Sequence, residues 1–411
     1  MNLILYIFFP FFAFLRGLKN FATQQSAIVF VLFCALFGYC FTFELVTADS
    51  FRYAYFFYVG DHNMLKDIIE NYREGGITDI FRPVTYSITS LFSHNPKVLF
   101  AIYGFLFGLF CYLSIRILVK ERIGKNDLYL VILLIIFFSL NSIVNVNGIR
   151  FWLATWIFFY FTTQYLIYGK QRAIIGILLS PLIHFAYIVV VGYILLFKVY
   201  LIFFRRNPLK ILFIGFIISF FASFALPENT IQDTIGDDAV EMSALNTKYN
   251  YYTDMTRKST SKNNSLYTQA NDAFTKYSRY AAKGMAFLLC IIIYRRFGNI
   301  KKSKTTITLF ALVLALFILS FLSSSLMHSG NRYLMMSWLF LAYLLFRIYN
   351  ENREKIWKRC VIGSIPTVAL YYFIFIVFNG YRLVTPMLWF MNLPYLIYDG
   401  IGFGPELIPR W

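Results

Sequence analysis

Long apolar runs separated by short polar loops repeat along the whole chain. Each run is close to the ~20 residues that an α-helix needs to cross the hydrocarbon core of a bilayer. We predict membrane helices over residues 26–44, 97–119, 127–144, 150–168, 209–226, 279–297, 305–327, 333–349 and 360–378. The apolar stretch at residues 3–15 lacks a basic start and a cleavage site of small residues. We therefore expect it to be retained, as a short first span or as an interfacial helix.

Two polar segments stand apart from this pattern. Residues 45–96 follow the first long run, and we predict an outward loop that carries an amphipathic helix. The apolar positions of that helix have i, i+3, i+4, i+7 spacing: Leu65, Ile68, Ile69 and Tyr72. Residues 227–277 are the longest polar segment, and we predict a second outward loop there.

One apolar run has an unusual length. Residues 173–204 are apolar-rich and have basic residues at both ends. A straight helix over this run would be about 48 Å long, which exceeds a bilayer core, whereas two full spans need about 40 residues. We predict a hairpin of two short helices that enters from the cytoplasm and turns near Pro181 and His184.

Composition agrees with a membrane protein, since 59% of the residues are hydrophobic and only 14% are charged. We predict an all-α fold: a polytopic transmembrane bundle of about 11–13 membrane helices that forms a single integral membrane domain over residues 1–411. All five cysteines lie in or beside apolar runs, and no His/Cys cluster or nucleotide-binding motif is present in the sequence. We expect no disulfide, no metal site and no cofactor.

The net charge of +18 does not indicate a nucleic-acid partner. More than half of the 38 lysines and arginines fall in six short loops between apolar runs, where no single basic face can form. The positive-inside rule assigns these loops to the cytoplasm. With that assignment, the uncommon polar groups of the other loops face outward, so we expect any active site to face outward as well.

Arg150 is the strongest candidate for binding a substrate. It opens a predicted span after the turn Asn147-Gly148. A cation and the positive end of a helix dipole repel each other, but both attract an anion, so a diphosphate suits this position. Arg332 repeats the arrangement after a second Gly- and Asn-containing turn, and Arg52 and Arg82 are further candidates. The ordinary alternative is an arginine that extends to lipid phosphates.

Two side chains could accept a proton from a sugar hydroxyl. His184 lies at the predicted hairpin tip, where a polar group is costly to desolvate, although a lone histidine in an apolar run is often a packing residue. Asp49 directly follows the first outward span, although it could equally form a structural ion pair with Arg52 one helical turn later.

Aromatic and polar side chains of the outward loops are candidates for contact with sugar rings. We select one tyrosine beside Asp49, one histidine before Arg332 and two tyrosines of the longest polar segment: Tyr53, His328, Tyr251 and Tyr252. Tyrosines also form ordinary belts at the lipid interface, so this pattern alone has two explanations.

These residues resemble the EpsG and Wzy group of exopolysaccharide and O-antigen polymerases. The resemblance rests on Asp49-Arg52-Tyr53 after an early span, on the Gly-x-Arg-aromatic-x-x-Ala helix start, on the basic turn that follows, and on His184-Phe185 at the end of a short helix. It covers roughly residues 26–204 by motif and the remainder by topology. The sequence departs from the usual Arg-Gln pattern, because Phe151 follows Arg150.

The resemblance implies transfer of a growing glycan from a polyprenyl diphosphate carrier to the sugar of an incoming lipid-linked repeat unit. It also implies a bacterial inner membrane, with the active site facing the periplasm or the exterior. The partners would be polyprenyl-diphosphate-linked oligosaccharides, membrane lipids and a chain-length regulator protein, with no nucleic acid. Arginines would stabilise the leaving diphosphate, and His184 or Asp49 would act as the base, without a metal. Two alternatives remain open: a membrane acyltransferase that modifies surface glycans, and a lipid-linked oligosaccharide transporter.

Overall fold

The computed structural model describes residues 2–19, 21–43, 48–60, 68–69, 80–121, 127–204, 208–225, 266–298, 304–326, 330–366, 380 and 382–401. These residues are helical almost throughout. Within them the one β feature is an isolated antiparallel bridge between Phe41 and Val384. The predicted all-α membrane fold is confirmed.

The chain divides into two compact units. The first consists of Met1–Ile68, Asp79–Val191 and Tyr372–Trp411, and the second of Ile69–Thr78 and Gly192–Tyr371. The helices of the first unit are α1 (Asn2–Phe8), α2 (Pro10–Lys19), α3 (Gln24–Tyr39), α4 (Asp49–Val59), α5 (Phe81–Ser90), α6 (Pro96–Glu121), α7 (Leu128–Leu140), α8 (Ile149–Thr162) and α9 (Ile174–Ile183). Helix α10 (Tyr187–Phe203) begins in the first unit and continues into the second.

The second unit contains α11 (Pro208–Ala225), α12 (Leu266–Arg296), α13 (Lys304–Leu326), α14 (Gly330–Glu351) and α15 (Lys355–Ser364). Helix α13 packs against both α11 and α14. The chain then returns to the first unit, where α16 (Leu393–Ile401) follows a short 3-10 turn at Pro386–Trp389.

Helices α3 and α6 form the most extensive helix–helix contact of the first unit. Gly38 of α3 lies against the backbone of Phe100, and Gly104 of α6 lies against the backbone of Cys34, so closely that a Cβ atom on either glycine would overlap a carbonyl oxygen. Gly108 follows Gly104 by one helical turn and touches the same Cys34. Small residues at this spacing allow two helix backbones to pack closely. Such packing stabilises helix pairs in a bilayer, where the lipid provides no hydrophobic driving force for their association.

Four stretches of the described residues are long and apolar enough to cross a membrane: Pro96–Glu121, Leu128–Ile167, Pro208–Ala225 and Lys304–Ser323. The second stretch is two antiparallel helices, because Phe137 of α7 contacts Trp156 and Phe159 of α8. This agrees with the predicted pair of runs at 127–144 and 150–168. The predicted total of about 11–13 membrane helices stays a prediction.

The predicted hairpin region contains two helices, α9 and α10, as expected. The break is at His184, whose φ of −148° and ψ of 115° are extended rather than helical. Pro181 lies inside α9, three residues earlier than the break. The principal partner of α9 is α8, and Gly176 allows the close contact with the ring of Phe161.

The two predicted outward loops contain more helix than expected. Helices α4 and α5 occupy parts of residues 45–96, whereas the predicted amphipathic helix lies outside the described residues except for residues 68–69. Helix α12 begins at Leu266, so the last part of the predicted loop 227–277 is helical. Hydropathy marks where apolar residues begin, and a helix can continue into polar sequence, so the outward location of this segment stays a prediction.

The first apolar stretch is also divided. Helices α1 and α2 are 7 and 10 residues long, and they meet at Phe9-Pro10, where proline has no N–H for a continuous helix. Neither reaches the length of a span by itself. At the other end, residues 367–378 of the predicted run 360–378 lie outside the described residues.

Candidate functional site

Helix α4 packs its polar start against the beginning of α8. Its buried positions Ser50, Tyr53, Ala54 and Phe57 have the i, i+3, i+4, i+7 spacing of one helix face. The backbone N–H of Ser50 donates to Oδ1 of Asn147, at 2.9 Å. Asn147 belongs to the 3-10 segment Ile143–Gly148, which leads directly into α8. Two segments about a hundred residues apart in sequence are thus joined by one hydrogen bond.

Arg150 completes this junction from the first turn of α8. Its Nε donates to the hydroxyl of Tyr53, at 2.9 Å, and its guanidinium carbon lies 5.5 Å from the centre of the same ring. Tyr86 of α5 in turn donates its hydroxyl to the backbone carbonyl of Tyr53, at 2.9 Å. The predicted position of Arg150 at a helix start is confirmed, and its partner is a tyrosine that the sequence alone assigned to sugar contact.

Tyr53 is buried, and burial raises the pKa of its phenol, while the neighbouring Arg150 acts in the opposite direction. The phenol therefore keeps its proton near neutral pH. Since its oxygen accepts a hydrogen bond from Arg150, its own O–H can donate to a ligand. The Arg150–Tyr53 pair thus offers two kinds of donor, a guanidinium and a phenol.

Asp49 brings a carboxylate to the same place. Its Oδ1 forms an ion pair with Arg52 one turn later in α4, and about a third of each side chain is exposed. Its Oδ2 lies 3.5 Å from the point where a Cβ atom on Gly148 would stand. A side chain at position 148 would therefore occupy space beside the carboxylate. The expected Asp49–Arg52 ion pair is present, and it lies beside the start of α8.

Arg82 of α5 is the third cation of this region. Its guanidinium carbon lies 5.7 Å from the ring centre of Phe56 and 5.9 Å from that of Tyr86. Helix α5 is held to α6 by Thr85, whose hydroxyl is 3.1 Å from that of Tyr103. The positive charge of Arg82 also acts on the phenols of Tyr53 and Tyr86, which places it in the same electrostatic neighbourhood.

We call Asp49, Arg52, Tyr53, Arg82 and Arg150 the arginine cluster. It contains three cations and one carboxylate, all from the first unit. A net positive site with phenol and guanidinium donors is suited to a polyanionic group such as a diphosphate.

His184 is linked to the arginine cluster through Phe151. The rings of His184 and Phe151 meet edge to face with centres 5.4 Å apart, and Phe151 is the residue next to Arg150. His184 is half-buried, and its Nδ1 accepts the backbone N–H of Ala186, at 3.3 Å. In the neutral ring the proton is then on Nε2. This geometry makes Nε2 of His184 a hydrogen-bond donor.

Phe151, which replaces the glutamine of the usual Arg-Gln pattern, is a packing residue. It is buried, and its ring also contacts that of Tyr187 at 5.3 Å. The hydroxyl of Tyr187 lies 2.6 Å from that of Thr155 in the next turn of α8. These contacts fix the starts of α8 and α10 against each other around His184.

The remaining predicted site residues belong to the second unit or lie outside the described residues. Arg332 is the third residue of α14 in the second unit, and its side chain is exposed. His328, Tyr251 and Tyr252 lie outside the described residues.

Sequence analysis overlooked Asn147 and Tyr86 as members of the site. Asn147 was treated only as a turn residue, although asparagine before a helix start commonly bonds a backbone N–H. Tyr86 has a weaker signal, since its position on a buried face of α5 shows only after α5 itself is recognised.

Comparison with known proteins gives one family. The sequence model of the EpsG family matches residues 25–396, which is nearly the whole chain. No curated protein and no solved structure matches the chain.

Proposed function

The chain belongs to the EpsG family, a family of Wzy-type polymerases, and from this membership we propose the reaction that it performs. The protein joins polyprenyl-diphosphate-linked oligosaccharide repeat units into a surface polysaccharide on the outward face of the inner membrane. A hydroxyl oxygen of the acceptor sugar attacks the anomeric carbon of the donor glycan. The bond from that carbon to the diphosphate breaks, and polyprenyl diphosphate leaves with the electron pair.

The arginine cluster supplies the charge that this reaction needs. Negative charge grows on the diphosphate as the glycosidic bond breaks, and fixed cations in a partly desolvated site stabilise it most at that moment. Arg150 is held by Tyr53, and Arg82 and Arg52 add charge from α5 and α4. In this proposal Tyr53 positions the guanidinium of Arg150 through their hydrogen bond.

Asp49 is the better of the two predicted bases. The acceptor hydroxyl must lose its proton, and a carboxylate can take it directly. His184 already uses Nδ1 to accept a backbone N–H, and its Nε2 carries the proton in the neutral ring. We assign His184 the role of donor to the sugar or diphosphate, and we assign Asp49 the role of base. In-line attack would invert the anomeric centre.

The observation that carries this proposal is the meeting of Asp49, Tyr53 and Arg150. Asp49 and Tyr53 come from one motif of the family resemblance and Arg150 from another. Arg150 and Tyr53 share a hydrogen bond, and Asp49 lies beside Gly148 at the same helix junction. A glycosyl transfer without a nucleotide needs at least a carboxylate that takes the proton and a neighbouring cationic side chain that stabilises the leaving group.

The test is a deletion strain in which surface glycans are separated on a gel. Loss of the gene should leave single-repeat products, and the wild-type gene should restore long chains, whereas a gene for Arg150→Ala should not. Membrane abundance of the variant is measured on the same samples. Full-length chains that lack an acyl group in the deletion strain would instead identify an acyltransferase, and accumulation of repeat units on the cytoplasmic side would identify a transporter.

A further inference from the structure

A second polar pocket lies toward the other end of the same helices. It is a cavity of about 390 Å³ between the end of α6 and the end of α8, and all of its walls belong to the first unit. Gln164, one of its lining residues, follows Arg150 by fourteen positions, which is about 21 Å along a helix. The pocket is therefore separate from the arginine cluster.

Arg116 and Gln164, which both line this pocket, have unmet hydrogen-bonding demands of opposite kind. Within the described part of the chain, neither Nε of Arg116 nor Oε1 of Gln164 has a hydrogen-bond partner, and both atoms are buried. Gln164 is only 9% exposed. A buried donor and a buried acceptor without partners each cost free energy, so the pair points to a ligand that offers both an acceptor and a donor.

The backbone around Gln164 departs from the regular α-helix. Residues Thr163–Ile167 form a π-helical turn, in which the N–H of Tyr168 donates to the carbonyl of Thr163, at 3.2 Å. Gly169 then adopts a φ of +69°, which a residue with a Cβ atom rarely adopts, and the N–H of Lys170 reaches the carbonyl of Gln164, at 2.9 Å. This turn brings Gln164 and Lys170 into the same pocket, and single π turns in helices are common at functional sites.

The charged side chains of the pocket favour an anionic ligand. Arg116, Lys120 and Lys170 line it together with one carboxylate, Glu121, whose Oε1 accepts a hydrogen bond from the hydroxyl of Tyr168 at 2.5 Å. Lys120 and Lys170 are exposed, while Arg116 is half-buried and its Nε is buried. An anion held by the cations, with a hydroxyl directed to Gln164, fits both the charge and the unmet hydrogen bonds.

We propose that this pocket binds the headgroup of an anionic phospholipid that carries hydroxyl groups, such as phosphatidylglycerol. The phosphodiester accepts from Arg116 and the two lysines, and a glycerol hydroxyl donates to Oε1 of Gln164. The positive-inside rule assigns this end of α6 and α8 to the cytoplasm, where anionic lipids attract basic groups. This lipid site does not depend on the proposed polymerase reaction. It would hold a phospholipid at the ends of α6 and α8, away from the arginine cluster.

The test measures lipid affinity of the purified full-length protein in neutral detergent, by native mass spectrometry with added lipids. Phosphatidylglycerol should bind at least about tenfold more tightly than phosphatidylcholine, as expected for a charged hydrogen-bonded headgroup. It should also exceed phosphatidylmethanol, which has the same phosphodiester charge without a hydroxyl. The Gln164→Met variant should lose this second preference and keep the first.

A matched pair of substitutions separates the pocket from general surface charge. Arg116→Gln should lower the affinity for phosphatidylglycerol by about tenfold, whereas Arg172→Gln, an exposed arginine of the same basic end outside the pocket, should change it less than about twofold. Lys170→Gln changes an exposed side chain that cannot disturb the core, and it should weaken binding in the same direction as Arg116→Gln.

Three results would overturn the proposal. Equal binding of phosphatidylglycerol and phosphatidylcholine would remove the anionic site. Equal losses in Arg116→Gln and Arg172→Gln would mean that only diffuse charge matters. Displacement of the lipid by inorganic phosphate at an equal concentration would assign the pocket to a free anion rather than to a lipid headgroup.

Discussion

Replacement of Arg150 by lysine tests whether the arginine cluster acts through geometry or through charge alone. In the structure, Nε of Arg150 is engaged with the hydroxyl of Tyr53, so Nη1 and Nη2 form the edge that can meet two phosphate oxygens. Lysine keeps the positive charge but has neither an equivalent of Nε nor a planar fork. Arg150→Lys should therefore lose most of the polymerising activity.

The size of this loss follows from the contacts that lysine cannot make. A hydrogen bond that involves a charged group contributes about 1.5–3 kcal/mol, and 3 kcal/mol corresponds to roughly a hundredfold in rate. We expect Arg150→Lys and Arg150→Ala to be slower by about a hundredfold each. Tyr53→Phe removes the acceptor of Nε but keeps the guanidinium, and it should lose about tenfold.

The assay is the rate of chain extension in membrane vesicles supplied with lipid-linked repeat units, normalised to the amount of protein in the membrane. Arg172→Lys is the matched control, because that arginine is exposed in the basic turn after α8 and should be silent. Because Tyr53 acts through Arg150, the double variant Arg150→Ala, Tyr53→Phe should be no slower than Arg150→Ala alone.

Two outcomes would refute this reasoning. Normal polymer from well-expressed Arg150→Ala would return Arg150 to the role of an interfacial lipid anchor. Losses that multiply in the double variant would mean that Tyr53 and Arg150 act independently, and their hydrogen bond would then have no part in the reaction.

The remaining predictions concern packing, chemistry and topology. Gly104→Leu should separate α3 from α6 and lower the unfolding temperature or the yield of folded protein, whereas Gly192→Leu places its side chain in open space and should do neither. Both variants are compared by fluorescence-detected gel filtration, and equal behaviour would contradict the close packing of α3 and α6. His184→Gln, which can still donate a hydrogen bond, should retain more chain extension than His184→Ala; equal losses would return His184 to the role of base. A cysteine that replaces Asn264 should react with an impermeant thiol reagent from outside and one that replaces Ser303 should not; the reverse labelling would invert the topology.

The helix positions could largely be predicted from the sequence, because hydropathy decides which segments enter a bilayer. The predicted run 97–119 differs from Pro96–Glu121 by one or two residues at each end. The start of α12 at Leu266 could not be predicted, because this helix begins in polar sequence and no change of hydropathy marks its first residue. The break between α9 and α10 was predicted near Pro181 and His184, and it lies at His184. The sequence alone does not distinguish the two positions, since a proline in the last turn of a helix can be tolerated and the extended backbone of His184 has no clear sequence signal.

The candidate site was predictable as a set of residues but not as a set of contacts. Asp49 and Arg150 were each found from local features, the end of a span and the start of a helix. Their meeting depends on the amphipathic face of α4 and on the bond from Ser50 to Asn147, a partnership that spans 97 residues. Charge and spacing along one segment hold no information about such a distant partner.

The burial of Phe151 sets the rotational position of α8. Successive residues of an α-helix point about 100° apart around its axis, so a ring clamped between His184 and Tyr187 determines the direction in which the preceding Arg150 leaves the helix. Insertion of one residue between positions 151 and 152 would rotate the rest of α8 by about 100° relative to Phe151. Either the aromatic contacts of Phe151 or the packing of the following turns would then be lost. Deletion of Ile149 would leave Phe151 in place, but it would shorten the segment between Asn147 and Phe151 by one residue. Members of the family should therefore tolerate changes in loop length before the 3-10 segment much better than changes of a single residue inside it.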